Sequence, residues 1–131
     1  MSYRIKYFGP AVLYVILIGV LSSLNQQVVA KYSWGIQDFI LHAIEYHLLG
    51  LTLIWAMLRE KDIFELRSAY RLAVSLGVGI AVADEFYQSF VPSRFSTIED
   101  VVADSFGVIL SILTFKLLMK INWLEQYRRH A

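Results

Sequence analysis

The sequence predicts an all-α membrane protein, a polytopic bundle of four transmembrane helices in one domain covering residues 1–131. Three observations support this fold class. Hydrophobic residues make up 57% of the 131 residues and charged residues only 18%, a balance that favours an integral membrane protein over a soluble domain. Four long apolar segments follow one another along the chain. Lysine and arginine are concentrated in alternate connections between these segments.

The four predicted spans cover residues 8–24, 36–58, 72–90 and 101–119. The first follows a short basic lead and carries no formal charge over about 17 residues, near the lower limit for a bilayer span. A signal peptide is the alternative. The uncharged run is longer than the usual signal core of ~7–15 residues and no A-x-A-like cleavage site follows, so we expect a retained anchor.

Positive charge predicts the orientation of the chain. Of the 12 lysines and arginines, ten lie in the amino-terminal lead, the central loop and the carboxy-terminal end, and only Lys31 and Arg94 lie in the other two connections. The positive-inside rule therefore places both termini in the cytoplasm, which agrees with an even number of spans. The polar ends of the second, third and fourth spans then face outwards.

Several function classes are excluded by composition. The chain has no cysteine, which rules out disulfides, cysteine–zinc sites and thiol catalysis. A net charge of +1 gives no reason to expect a nucleic-acid partner. The bilayer itself is the one partner that composition predicts.

The most polar part of this apolar chain lies between Ala83 and Gly107. The third helix would carry Asp84, Glu85 and Gln88 on one face, and the fourth would carry Asp100, Asp104 and Gly107 on one face. Pro92 prevents a continuous helix between them, because proline lacks an N–H and disfavours helical geometry in the preceding residue. Two acidic faces are therefore predicted to meet around Arg94.

The second span adds a polar stripe to this prediction. Asp38, His42, Glu45 and Tyr46 share one helical face, and the opposite face is apolar. Ionisable side chains inside spans cost about 2.5–3.5 kcal/mol each on insertion scales, so they are candidates for function. Several carboxylates this close together must share protons, pair with Arg94 and His42, or hold a cation.

The candidate site residues fall into three groups. The catalytic candidates are His42, Glu45, Asp84, Glu85, Asp100 and Asp104. The binding candidates are Asp38, His42, Tyr46, Gln88, Arg94 and Ser96. The candidate metal ligands are Asp84, Glu85, Asp100 and Asp104, for Mg²⁺ or Mn²⁺, because hard cations prefer oxygen donors.

Structural roles compete with these functional ones. Ser96 and Glu99 have the spacing of a capping box, so Glu99 is expected to be structural. Arg94 would either neutralise the acidic cluster or bind a substrate anion. Asp38 would either cap its helix or belong to the site. An interhelical hydrogen bond is the expected role of His47.

These residues resemble the VanZ-like membrane proteins. The resemblance rests on the four-residue spacing of Asp38, His42 and Tyr46, followed by Asp84, Glu85, Gln88, Pro92, Ser93, Arg94, Ser96, Asp100, Asp104 and Gly107. Family members often have lysine after the first aspartate, whereas this chain has Phe39. The resemblance covers residues 37–111. It implies a bacterial protein of four or five helices in the cytoplasmic (inner) membrane, in some members linked to low-level glycopeptide resistance, and it implies no reaction.

Three functions follow as hypotheses. The first is a non-enzymatic protein that binds an envelope lipid, wall precursor or glycopeptide-type amphiphile in an outward-facing pocket and contributes to antibiotic resistance. The second is a metal-dependent enzyme acting on a lipid-linked phosphate, with His42 or Glu45 as general base and Arg94 holding the phosphate. The third is a proton-coupled transporter, for which four spans would require a homo-oligomer. The small-residue pairs Gly77-x-Gly79 and Ala81-x-Ala83 are expected to support close helix packing.

Overall fold

The computed structural model describes residues 3–24, 36–59, 65–92, 94 and 96–130, with side chains at 7–24, 37–59, 65–92, 94 and 96–121. Within these ranges the chain is all-helical, with no strand. The helices are α1 (Tyr3–Ser22), α2 (Ile36–Arg59), α3 (Leu66–Gln88) and α4 (Ile98–His130). The predicted fold class, a four-helix bundle, is confirmed.

Three of the helices are long and apolar enough to cross a membrane. The candidate spans are Gln37–Arg59, Leu66–Gln88 and Ile98–Ile121, and α1 contributes a shorter apolar helix, Tyr7–Ser22. The 23 residues of α3 have a length of about 34 Å at 1.5 Å per residue, enough for the ~30 Å hydrocarbon core of a bilayer. Together with large apolar side chains exposed on every helix, this length indicates a multi-pass membrane protein.

Helix α3 begins six residues before the predicted third span. The residues from Leu66 to Arg71 are helical, although their charge placed them in the predicted central loop. Long arginine side chains extend along a helix end and keep their charge at the membrane surface. A charged first turn is therefore compatible with a span that begins one or two turns later.

The bundle is packed around α2. Its buried side chains include Tyr46, Leu49, Ile54 and Met57, and it packs most extensively against α4 and also against α1 and α3. Hydrophobic attraction between helices is weak in lipid, so close packing depends on small residues at the contacts. The glycines of this chain show where those contacts are.

Three glycines lie at close helix contacts. A Cβ at Gly107 of α4 would collide with the Ala43 carbonyl of α2, and one at Gly50 would meet Ser111. A Cβ at Gly77 of α3 would meet Val108 of α4. The backbones of α2 and α4 therefore touch at Gly107, in the same region as the polar site.

The small residues of α3 follow a four-residue repeat. Ala69, Ala73, Gly77 and Ala81 are all buried, whereas Gly79 and Ala83 are exposed. Within the described bundle, Gly77 and Ala81 therefore lie at helix contacts, and Gly79 and Ala83 do not. An α-helix has 3.6 residues per turn, so side chains two residues apart point to nearly opposite sides and cannot face the same neighbouring helix.

The start of α4 differs from the prediction by one residue. Thr97 is the N-cap: its Oγ1 accepts the Asp100 N–H at 3.3 Å and donates to Asp100 Oδ2 at 2.9 Å. The predicted capping box of Ser96 and Glu99 is wrong, because the cap residue is Thr97. Glu85 Oε2 accepts the Thr97 N–H at 3.2 Å, which holds this residue at the helix start.

Candidate functional site

The repeat on α3 separates two neighbouring acids. Glu85 continues the stripe of Ala73, Gly77 and Ala81 and is 3% exposed. Asp84 lies one residue earlier, about 100° around the helix, and points towards α1, where Ser22 Oγ donates to its Oδ2 at 2.7 Å. The acids expected on one face therefore belong to two different groups of residues.

The first group, the interior cluster, consists of His42 of α2, Glu85 of α3 and Asp104 of α4. One ligand atom from each lies within 4.8 Å of the other two. His42 Nδ1 is 3.0 Å from Asp104 Oδ1, with side chains that are 13% and 0% exposed. Three helices thus bring an imidazole and two carboxylates together inside the bundle.

Two carboxylate oxygens of the interior cluster are unused. Glu85 Oε1 and Asp104 Oδ2 are buried, and neither has a hydrogen-bond partner in the part of the chain that the structure describes. A buried polar atom without a partner carries its full desolvation cost, about 1–3 kcal/mol and more when charged. Both atoms are therefore available to a ligand.

A pair of acids extends the cluster towards the end of the bundle. Asp38 and Asp100, here called the rim pair, form a second group with His42 whose ligand atoms also lie within 4.8 Å of one another. Both aspartates are partly exposed. His42 therefore belongs to both groups and links the buried carboxylates to a more accessible acidic region.

The second group, the polar chain, joins Ser22 of α1, Asp84 and Gln88 of α3, and Arg94. Gln88 Nε2 donates to Asp84 Oδ2 at 2.8 Å and to Ser22 Oγ at 3.4 Å. Arg94 Nη1 donates to Gln88 Oε1 at 3.1 Å. These hydrogen bonds fix the end of α3 against the end of α1.

Arg94 has a structural role as the C-terminal cap of α1. Its Nη2 donates to the Leu21 carbonyl at 2.8 Å and its Nε to the Leu24 carbonyl at 3.3 Å. A cation that binds the last carbonyls of a helix satisfies unpaired acceptors and opposes the negative end of the helix dipole. Within the described residues, Arg94 forms no ion pair with a carboxylate.

A cavity of about 370 Å³ lies between α1, α2 and α3. Its polar lining is Tyr14, Ser22, Asp38, His42, Glu45, Asp84, Gln88 and Arg94, and its apolar lining is Leu21, Leu24, Leu41, Ile44 and Leu48. Glu45 Oε1 is buried and has no partner among the described residues. The cavity therefore combines an acidic interior with an apolar border.

The family model for VanZ/LLP1 matches residues 11–119. This range includes the interior cluster, the rim pair, the polar chain and the cavity lining. The chain belongs to the VanZ/LLP1 family. Comparisons with curated proteins and with solved structures find no match. The family resemblance predicted from residues 37–111 is confirmed, and the protein is a VanZ-like membrane protein with several spans.

Two of the predicted binding residues of this VanZ-like protein, Tyr46 and Ser96, lie outside the interior cluster, the rim pair and the polar chain. Tyr46 is buried in the core, and its hydroxyl has no hydrogen-bond partner within the described ranges. Ser96 is exposed, with its side chain next to that of Glu85. The interhelical hydrogen bond expected for His47 is not made by its Nδ1, which has no partner in the described part of the chain.

Sequence reasoning missed two hydroxyl residues of the site. Ser22 Oγ donates to Asp84. Thr97 donates its backbone N–H to Glu85 and its hydroxyl to Asp100. Ser22 is the last residue of α1, and a serine near the end of an otherwise apolar helix is a signal for a polar contact between helices. Thr97 also has an acid three residues later, but that acid is Asp100, whereas the capping-box pattern has Glu or Gln at this position, so the sequence favoured Ser96.

Proposed function

We propose that this VanZ-like protein binds an envelope amphiphile, with its head group in the cavity and its apolar chain along α2. The observation that carries the proposal is the cavity itself, which has an acidic interior and an apolar border. Ligand sites combine mostly apolar walls with a few convergent polar groups. A head group attached to a hydrocarbon chain has the same two-part chemistry.

The apolar border supports a ligand that arrives from the lipid. Leu41 and Ile44 line the cavity, yet their side chains are 54% and 53% exposed on the outer surface of α2. In a bilayer this surface contacts acyl chains. A lipid can therefore keep its chains in the membrane and extend only its head group towards Glu45.

The charges of the cavity favour a head group with a protonated amine. Three acids line it, Asp38, Glu45 and Asp84, against Arg94 and His42. Hydrogen bonds between an ammonium and a carboxylate are about twice as strong as neutral ones. Arginine carries five N–H donors, and Arg94 uses three of its nitrogens on carbonyl and amide oxygens, so further N–H groups are left for a phosphate. An amine-bearing phospholipid or lipid-linked wall precursor fits this arrangement.

The size of the cavity limits the ligand. A volume of about 370 Å³ is at the lower end for ligand sites and holds a head group rather than a whole glycopeptide. A contribution to antibiotic resistance would then act through an envelope lipid or wall precursor. The positive-inside count supports a site on the outer side of the bacterial inner membrane.

Lipid binding by the purified protein tests the proposal. Native mass spectrometry would compare phosphatidylethanolamine, which has the amine, with phosphatidylglycerol, which lacks it. We expect a preference for the amine lipid. The variants Glu45→Gln and Asp84→Asn should each weaken its binding by about ten- to a hundredfold, the value of one charged hydrogen bond.

The matched control is Glu99→Gln, which removes one exposed acid outside the cavity lining and should leave binding unchanged. Equal affinity for the two lipids, or wild-type affinity in both cavity variants, would contradict the proposal. Arg94 is unsuitable for this test, because its substitution would also remove the cap of α1. In cells, teicoplanin tolerance would be compared between expression of the wild-type protein and expression of Glu45→Gln. If the variant raises tolerance as much as the wild type does, resistance does not depend on this cavity.

A further inference from the structure

We infer that the interior cluster is a divalent metal site with His42, Glu85 and Asp104 as its protein ligands. The three residues come from three different helices, and their ligand atoms lie within 4.8 Å of one another. This site is separate from the proposed amphiphile site, because Glu85 and Asp104 do not line the cavity. The two share only His42.

The unused carboxylate oxygens point to a ligand inside the cluster. Glu85 is 3% exposed and Asp104 is fully buried, and each keeps one oxygen without a partner within the described residues. The other oxygen of each carboxylate is already hydrogen-bonded. Glu85 Oε2 accepts the Thr97 N–H, and Asp104 Oδ1 is bonded to His42 Nδ1. Glu85 is thus held in place while one of its oxygens remains available. Asp104, whose contact with His42 would be exchanged for bonds to the ion, also keeps a second oxygen available.

Charge supports a cation at this position. Within the described residues, no lysine or arginine lies within 4 Å of the Glu85 or Asp104 carboxylates, and His42 is the only ion-pair partner. Removing a carboxylate from water costs several kcal/mol unless it is compensated. One divalent ion would compensate both carboxylates at once, which a single imidazole cannot do.

The donor set favours a transition metal over Mg²⁺. Carboxylate oxygens suit Mg²⁺ and Mn²⁺, whereas imidazole suits Zn²⁺ and other first-row transition metals. A mixed set of one nitrogen and two or more oxygens therefore selects Mn²⁺ or Zn²⁺. The neutral imidazole would bind through Nδ1, and the bond between His42 and Asp104 would give way to two bonds to the ion.

The distances fit an ion with small side-chain movements. Two ligands about 2.1 Å from an ion and at right angles lie about 3.0 Å apart, and His42 Nδ1 and Asp104 Oδ1 are 3.0 Å apart. Opposite ligands lie about 4.2 Å apart at most, and the three ligand atoms lie within 4.8 Å of one another, so no pair would have to close by more than about 0.6 Å. The rim pair, Asp38 and Asp100, supplies an acidic approach to His42.

This set differs from the metal ligands predicted from sequence in two respects. His42 takes the place of Asp84, which faces α1 and belongs to neither group of candidate ligands. Asp100 groups with His42 and Asp38 instead of with Glu85 and Asp104. An ion here would also supply the metal that the enzyme hypothesis requires.

Metal binding by the full-length protein in nanodiscs tests the inference. After chelator treatment, Mn²⁺ and Zn²⁺ should each bind at one per chain, and Mg²⁺ in a thousandfold excess should not displace them. Glu85→Gln and Asp104→Asn should each weaken binding at least about a hundredfold, since even residues behind the ligands are worth about 10–100-fold. Both amides keep an acceptor oxygen for the hydrogen bonds to Thr97 and His42.

Asp84→Asn is the matched control, because it removes a nearby acid that lies outside the cluster. This variant should bind the metal as the wild type does but bind the amphiphile more weakly. A failure of the metal site can therefore be distinguished from a failure of the amphiphile site. Pulsed EPR of the Mn²⁺-loaded wild type should show coupling to one imidazole nitrogen, a result that depends on no variant. Absence of stoichiometric binding, absence of nitrogen coupling, or wild-type affinity in Glu85→Gln would each overturn the inference.

Discussion

At Gly107 the backbones of two helices touch. A Cβ there would collide with the Ala43 carbonyl and lie close to the His47 backbone nitrogen, so no rotamer change can make room. Gly107 also lies one turn after Asp104, and Ala43 lies next to His42. The same contact that brings α2 and α4 together therefore brings two members of the interior cluster together.

Gly107→Ala should consequently destabilise the bundle by about 3 kcal/mol, the upper end for overpacking. The obstacle is backbone, so the two helices must separate. Loss of helical circular dichroism during unfolding in SDS would measure the effect. Gly79→Ala is the control, because a Cβ at Gly79 meets nothing within 4 Å. It should leave stability unchanged or raise it by up to about 1 kcal/mol; equal losses in both variants would contradict the assignment of Gly107 to a backbone contact.

Individual residues also show where sequence reasoning stops. Asp38, His42 and Asp104 were predicted as site residues because ionisable groups inside apolar segments are conspicuous. The role of Arg94 was not predictable, because its acceptors at Leu21 and Leu24 are backbone carbonyls. Every residue has such a carbonyl, so the sequence contains no pattern that marks these two.

Among the elements, α3 carries the most informative pattern. In water, an apolar stripe marks the buried face of a helix. In lipid the outward face is apolar as well, and the buried face of α3 is marked by small residues, Ala69, Ala73, Gly77 and Ala81. This repeat ends at Glu85 and so determines that Glu85, rather than Asp84, points into the bundle.

The contact of α3 with α4 at Gly77 allows a second stability test. A Cβ at Gly77 would meet the two γ-methyl groups of Val108 at 2.8 Å, so the obstacle is a side chain. Gly77→Ala should cost about 1–3 kcal/mol by overpacking, and Val108→Ala should cost a similar amount through the cavity it leaves. The double variant should lose less stability than the sum of the two single losses, by about 1 kcal/mol or more.

Unfolding in SDS of all four proteins gives the coupling energy of this cycle. Gly107→Ala combined with Val108→Ala is a useful comparison, because a smaller side chain at 108 cannot relieve a collision with the α2 backbone. The coupling energy of this second pair of substitutions should therefore be near zero. Additive losses in the Gly77 cycle would show that α3 and α4 are not in close contact there.

For the whole molecule, hydropathy was sufficient for the fold and insufficient for the site. Apolar length predicts spans because the bilayer thickness is fixed. Which side chains meet depends on the rotation of each helix about its axis, and residues one apart differ by about 100°. The sequence therefore identified these acids as candidates, but it could not predict their division between the interior cluster and the polar chain.

The last prediction concerns the orientation of the whole molecule in the membrane. Arg67 lies in the first turn of α3 and Val91 just beyond its last turn, at opposite ends of a 23-residue helix. The chain has no cysteine, so Arg67→Cys and Val91→Cys each introduce a single thiol. Ten of the 12 lysines and arginines lie in the connections predicted to be cytoplasmic, so a membrane-impermeant maleimide should label the cysteine at 91 in intact cells and the one at 67 only after lysis. Labelling of both in intact cells would exclude a transmembrane α3, and the reverse pattern would place the cavity and the interior cluster on the cytoplasmic side, where an outer-leaflet lipid cannot reach them.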